Sequence, residues 1–172
     1  RRVKIHPHLK LDSSRKVNRK MNGKLEKLGP IGELIRSKLL ASDYYAVIPM
    51  VRKDTEIHFY DFNYGICFDK IPSAIFQFDL FDAVVKEANR LGGKMYCADS
   101  PARNGEKLGS ENLPLTVIDA FVAKNFFNKQ EGDSILGCAT YIASVLRWIG
   151  VADYEKDALG RHINIKADYR NI

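Results

Sequence analysis

Residues 43–69 read DYYAVIPMVRKDTEIHFYDFNYGICFD, and this stretch constrains the fold more than any other. Two apolar runs, 45–51 and 56–62, are separated by Arg52-Lys53-Asp54-Thr55. A linker that short and polar makes a hairpin turn. In the second run Ile57, Phe59 and Asp61 share one face, and His58, Tyr60 and Phe62 share the other. Apolar or aromatic side chains on both faces predict a central strand covered on both sides. Pro49 cannot donate to a ladder, so it marks the first strand as an edge or a bulge. Asn63-Tyr64-Gly65 turns the chain into a third short strand, 66–68.

Helices are expected to pack against this hairpin. Ile31, Leu34, Ile35 and Leu39 fall at helical spacing, with Glu33, Arg36 and Lys38 on the opposite side. Residues 78–91 carry the cleanest stripe (Phe78, Phe81, Val84, Val85, Ala88, Leu91), begin with Asp79 and Asp82, and stop at Gly92-Gly93. Residues 94–98 are predicted to return as a strand to the same sheet. Residues 99–112, rich in turn formers and without apolar rhythm, are predicted to form a long surface loop. A helix is expected over 114–128. A second, over 135–149, has Arg147 as its one formal charge and should be buried on several sides. After a polar connection, 162–169 alternates as a half-buried strand does. The sum is an α+β fold, a small and mainly antiparallel sheet packed against three to four helices.

Charge divides the chain. Residues 1–28 hold ten Lys and Arg against two acids, a net +8, while the remainder holds seventeen against nineteen. This predicts a basic N-terminal arm, 1–29, ahead of one α+β domain, 30–172. Arg15, Lys16, Arg19, Lys20, Lys24 and Lys27 fall near helical spacing and form a candidate anion-binding stripe. It suits nucleic-acid phosphates or anionic lipid headgroups. No apolar run approaches the roughly 18 residues of a membrane span, and the charged start lacks the apolar stretch of a secretory leader. Cys67, Cys97 and Cys138 are odd in number, far apart and without a CxxC pair. They predict reduced thiols in a reducing, cytoplasmic compartment rather than a disulfide framework or zinc site. His6-Pro7-His8 is not a helical ligand pair, and neither HExxH nor GxxxxGK[ST] occurs, so no metal or other cofactor is expected.

Chemistry has one candidate nucleophile. Cys138 stands in GDSILGCATYIASVLRWIG, where a thiol in the first turns of a helix meets the dipole that favours thiolate. The alternative is a small core residue, since Ile135, Cys138, Ile142 and Ile149 share a face. A base for such a thiol would be His58 or His162, oriented by Asp61, Asn63 or Asp168.

The run HFYDFNYG, His58 through Gly65, follows a YAV strand and precedes ICFD and an aromatic-rich helix. Over residues 44–92 this resembles the C-terminal half of papain-like effector cysteine proteases of the YopT/AvrPphB type. In that family a strand opening on the catalytic His precedes a strand ending Phe-Phe-Asp-Pro-Asn-Tyr-Gly, whose Asp completes the triad. Asp61 matches that Asp, and Asn63, Tyr64 and Gly65 match the tail. Phe62 replaces the Pro, and Tyr45 holds the position of the His. The helix of Cys138 resembles the central papain helix. Its place after the hairpin is similar to the permuted papain-like hydrolases and the adenain/YopJ clan.

The resemblance implies a papain-like framework of bacterial effector or toxin type, delivered into a host or target cell and acting on a protein substrate or partner. It would be a cysteine hydrolase or transferase with Cys138, His58 or His162, and Asp61, or a catalytically degenerate relative, a pseudoenzyme. The alternatives are a nucleic-acid or anionic-surface binder working through the arm, and a protein–protein interaction domain.

Overall fold

The computed structural model describes residues 25–172. Arg15, Lys16, Arg19, Lys20 and Lys24 of the basic stripe lie outside the described residues; Lys27 is exposed. The fold is α+β with antiparallel sheets. Among the described residues, no helix is long and apolar enough to cross a membrane.

Helix α1, Pro30–Ala41, opens on a proline, whose fixed φ suits the first helical position. Ile31, Ile35 and Leu39 enter the core. Arg36, expected on the outer side, is 3% exposed. Its guanidinium donates to the carbonyls of Glu26 (2.8 Å) and Phe62 (3.3 Å) and to Asn63 Oδ1 (3.1 Å), and pairs with Glu33. A buried guanidinium is tolerated because these acceptors replace its water. The clamp holds the chain entering α1 against the turn that follows the hairpin.

Strands β1 (Tyr45–Ile48), β2 (Thr55–Asp61), β3 (Gly65–Phe68) and β4 (Phe76–Gln77) form one antiparallel sheet in that order. The edge strand β1 stops just before Pro49, and the ladder is irregular between Phe59 and Asp61. Strand β2 is central in its pairing, as expected. Only its inner face, with Ile57 and Phe59, is buried; His58 is half-buried and Tyr60 is exposed.

Helix α2, Phe78–Arg90, follows, then β5, Lys94–Tyr96, and a five-residue helix α3, Asp99–Arg103. Helices α4, Ile118–Phe126, and α5, Ala139–Trp148, precede the hairpin of β6, Ala152–Asp157, and β7, Gly160–Ile165. The strand expected over 162–169 thus ends at Ile165, and Ala167–Tyr169 is a 3₁₀ turn.

Further expectations change. Strand β5 does not rejoin the first sheet; it pairs with β7 in a second sheet of order β5-β7-β6. The polar connection at 152–157 is itself a strand, whose alternation is masked because its only fully buried residue is Ala152. Residues 99–112 are only partly the surface loop expected: 99–103 form α3, and although most of the stretch is exposed, it is anchored. Ala102 and Leu108 join Leu113, Ala120 and Ile135 in a small second core, and Leu108 N–H bonds the carbonyl of Asp133. The main core joins both sheets, from Ile57, Phe68 and Phe76 through Phe81, Val85 and Ile142 to Met95, Ile163 and Ile165.

Candidate functional site

The charged centre of the molecule is the N-terminal end of α5, where Cys138 is the N-cap and is fully buried. Helix ends leave backbone N–H groups without partners. Two carboxylates take them here. Asp119, in the first turn of α4, accepts from the N–H of Cys138 (2.7 Å) and of Ala139 (2.9 Å) through Oδ1, and from Ala98 N–H (2.7 Å) through Oδ2. Asp99, the first residue of α3, accepts from Thr140 N–H at 3.3 Å through Oδ1 and from the Thr140 hydroxyl through Oδ2. Tyr154 of β6 reaches the same hydroxyl at 3.4 Å. These contacts draw α3, α4, α5 and the end of β5 to one point.

The electrostatics follow from the burial. Asp119 is wholly buried, and burial followed by the Asp99 charge raises its carboxyl to about 6, against the pull of its three N–H donors. Burial pushes the Cys138 thiol well above its ordinary value, and the charges of Asp119 and Asp99 push it further. The helix dipole does favour an anion at this position, but Asp119 and Asp99 are the anions that answer it. Cys97 lies in the same field, its thiol raised by burial, then by Asp99 and Asp119. Burial also raises the Tyr154 hydroxyl, to about 12.

The other predicted site residues stand elsewhere. In the second sheet Tyr96 and Glu155 flank His162, while Met95 and Tyr154 flank Ile163. Strand alternation therefore puts His162 on the face opposite Tyr154 and Ile163, away from the core side that holds Cys138. There His162 Nε2 is 3.5 Å from Glu155, Nδ1 is 3.6 Å from Asp157, and its ring meets Tyr96 at 5.2 Å. Asp157 also accepts from Lys94 and Tyr96, each at 2.8 Å, and from the N–H groups of Leu159 and Gly160. The Lys94 hydrogen bond first, then Tyr96, hold its carboxyl well below the usual range. His162 thus sits in the polar network that fastens the β6–β7 turn.

His58 belongs to the first sheet, opposite Tyr45 on β1 and Cys67 on β3. Asp61 Oδ1 accepts from Asn63 N–H at 2.9 Å, the local bond of an Asx turn. The structure therefore does not assemble Cys138, His58, His162 and Asp61 into one constellation. It assembles Cys138 with Asp119, Asp99 and Thr140, the last three unanticipated from sequence. A signal existed for Asp119. It is a lone acid within the apolar run VIDAFVA, where a buried carboxylate needs donors.

Among the described residues, no group of three or more His, Cys, Asp or Glu side chains is arranged to hold a metal ion. Compared with family models, curated proteins and solved structures, the chain matches none.

Proposed function

We propose that this chain is a catalytically degenerate, papain-related domain of effector or toxin type that acts by binding rather than by thiol chemistry. The observation that carries the reading is the bond from Cys138 N–H to Asp119 at 2.7 Å inside the core. A thiol hydrolase needs its nucleophile as thiolate in an open cleft. It also needs backbone N–H groups aimed at the oxyanion that forms beside it. Here the thiol is buried and raised, and the N–H groups of Cys138, Ala139 and Thr140 already bond carboxylates. Tyr45 in the family's histidine position agrees with this.

The test is native-state alkylation with iodoacetamide, read residue by residue by mass spectrometry. Cys138 is expected to react only as the protein unfolds, with a rate that rises with denaturant. Labelling of Cys138 in the native protein faster than a free thiol peptide at pH 7 would overturn the reading.

A further inference from the structure

We infer that Arg161 and Lys156, with Arg147 beside the same tyrosine ring, bind the phosphate of a phosphate monoester. The assignment rests on the reading of this chain as a binding domain and gives that domain a ligand.

The hairpin of β6 and β7 sorts its charges by face. Residues 153, 155 and 157 alternate onto the outer face, and all three are acids with partners. Asp153 lies 3.6 Å from Lys166, Glu155 3.5 Å from His162, and Asp157 2.8 Å from Lys94. The opposite face meets α5 and carries Tyr154 and Lys156 on β6 and Arg161 and Ile163 on β7. Within the hairpin, this face holds cations and no acid. Lys156 is exposed and Arg161 is half-buried. Among the described residues, neither side chain has a hydrogen bond or an ion pair. A half-buried guanidinium in that state has lost water contacts that no acceptor replaces.

The placement also works against the fold. Lys156 and Arg161 stand directly opposite in the ladder, and like charges directly opposite destabilise a strand pair. A third cation approaches from α5. The Arg147 and Arg161 guanidiniums lie 5.9 and 5.8 Å from the centre of the Tyr154 ring. One Arg147 nitrogen donates to the Pro49 carbonyl at 2.6 Å, and its other N–H groups have no acceptor among the described residues. The acid whose charge reaches Tyr154 is Asp99, which accepts from Thr140 through both oxygens. Three cations against that one acid leave a double positive charge, which a phosphate dianion neutralises and a carboxylate only halves. The planar fork of Arg161 matches two phosphate oxygens, and Lys156 supplies a point charge beside it.

The isotope-labelled full chain is titrated with sodium phosphate, glycerol phosphate, dihexanoyl phosphatidic acid and sodium acetate at constant ionic strength. At about pH 7.5 the phosphates are mainly dianions. Amide shifts are followed by nuclear magnetic resonance. Saturable shifts in β6 and β7 are expected with the phosphates and not with acetate. Arg161→Gln should weaken phosphate binding about tenfold and leave amide signals away from the hairpin in place. Lys156→Glu is the sharper variant, because it turns the like-charge pair into an attractive one. It should abolish binding and raise the urea midpoint. Equal affinity for glycerol phosphate and the short-chain lipid supports a soluble ester, and tighter binding of the lipid supports a headgroup. Shifts confined to residues 1–28 overturn the inference. So do acetate shifts of the same size, or phosphate binding that survives Lys156→Glu. Cys138 labelling is measured without phosphate, so failure of this site and failure of the thiol reading are distinguishable.

Discussion

Asp119 decides what Cys138 can be. A buried carboxylate that accepts three N–H bonds gives a helix end without a side-chain cap of its own the partners it needs. Its pH dependence follows from its raised carboxyl. The folded protein holds a proton on Asp119 up to about pH 6, whereas the unfolded chain releases it near 3.8. Between these values folding takes up a proton, so this group's stabilisation is fully present below about pH 4. It is lost as pH rises through about 6. Asp119→Asn removes that dependence and leaves Ala98 N–H facing an amide donor, which costs about 1–3 kcal/mol. Urea unfolding of both proteins at pH 4.5 and 6.5 checks this. The variant should lose more stability at the lower pH, and an equal loss at both would sink the assignment.

Elements meet through single residues with no room for alternatives. Gly65 begins β3 where the chain passes β4, and a methyl group there would lie 2.2 Å from the Phe76 carbonyl oxygen. That atom is backbone in a paired strand, so it cannot swing aside. Gly65→Ala should therefore break the β3–β4 pairing and destabilise by about 2–4 kcal/mol, in the range of other overpacked or unpaired core positions. Urea midpoints measure it, and a change under about 0.5 kcal/mol, typical of surface substitutions, would contradict the geometry. Helices α1 and α2 are joined comparably, because Asp82 accepts from the N–H groups of both Ile31 and Gly32 at 3.0 Å.

The two sheets do not have separate main cores. The ring of Tyr141 on α5 packs on Phe68 of the first sheet at 5.0 Å, and α5 also lies against β6 of the second. Trp148, at the end of α5, lies under the Lys38 ammonium, which sits 4.7 Å from the ring centroid. Shared packing predicts one cooperative transition. Urea curves from Trp148 fluorescence and far-ultraviolet circular dichroism should coincide, and two resolved transitions would show that the sheets unfold independently.

Local pattern determined much of this molecule. The hairpin of β1 and β2, the edge position of the strand before Pro49, helix α2 with its stripe from Phe78 to Ala88, and the deeply packed α5 were all legible. Each is a periodicity that burial on one side imposes on neighbouring residues. The partition into two sheets was not legible, because Lys94–Tyr96 is short and pairs with a strand more than sixty residues away. Nor was the outer side of β2, where Tyr60 reads as core and is exposed, while Phe62, expected beside it, is buried against Phe59. The surroundings of Cys138 were decided by tertiary structure alone. Sequence spacing places a thiol at a helix start, where the dipole favours an anion. Only the fold could bring Asp119 and Asp99 there, and once a buried carboxylate occupies that end, a second negative charge on the sulfur is opposed by the field of the first.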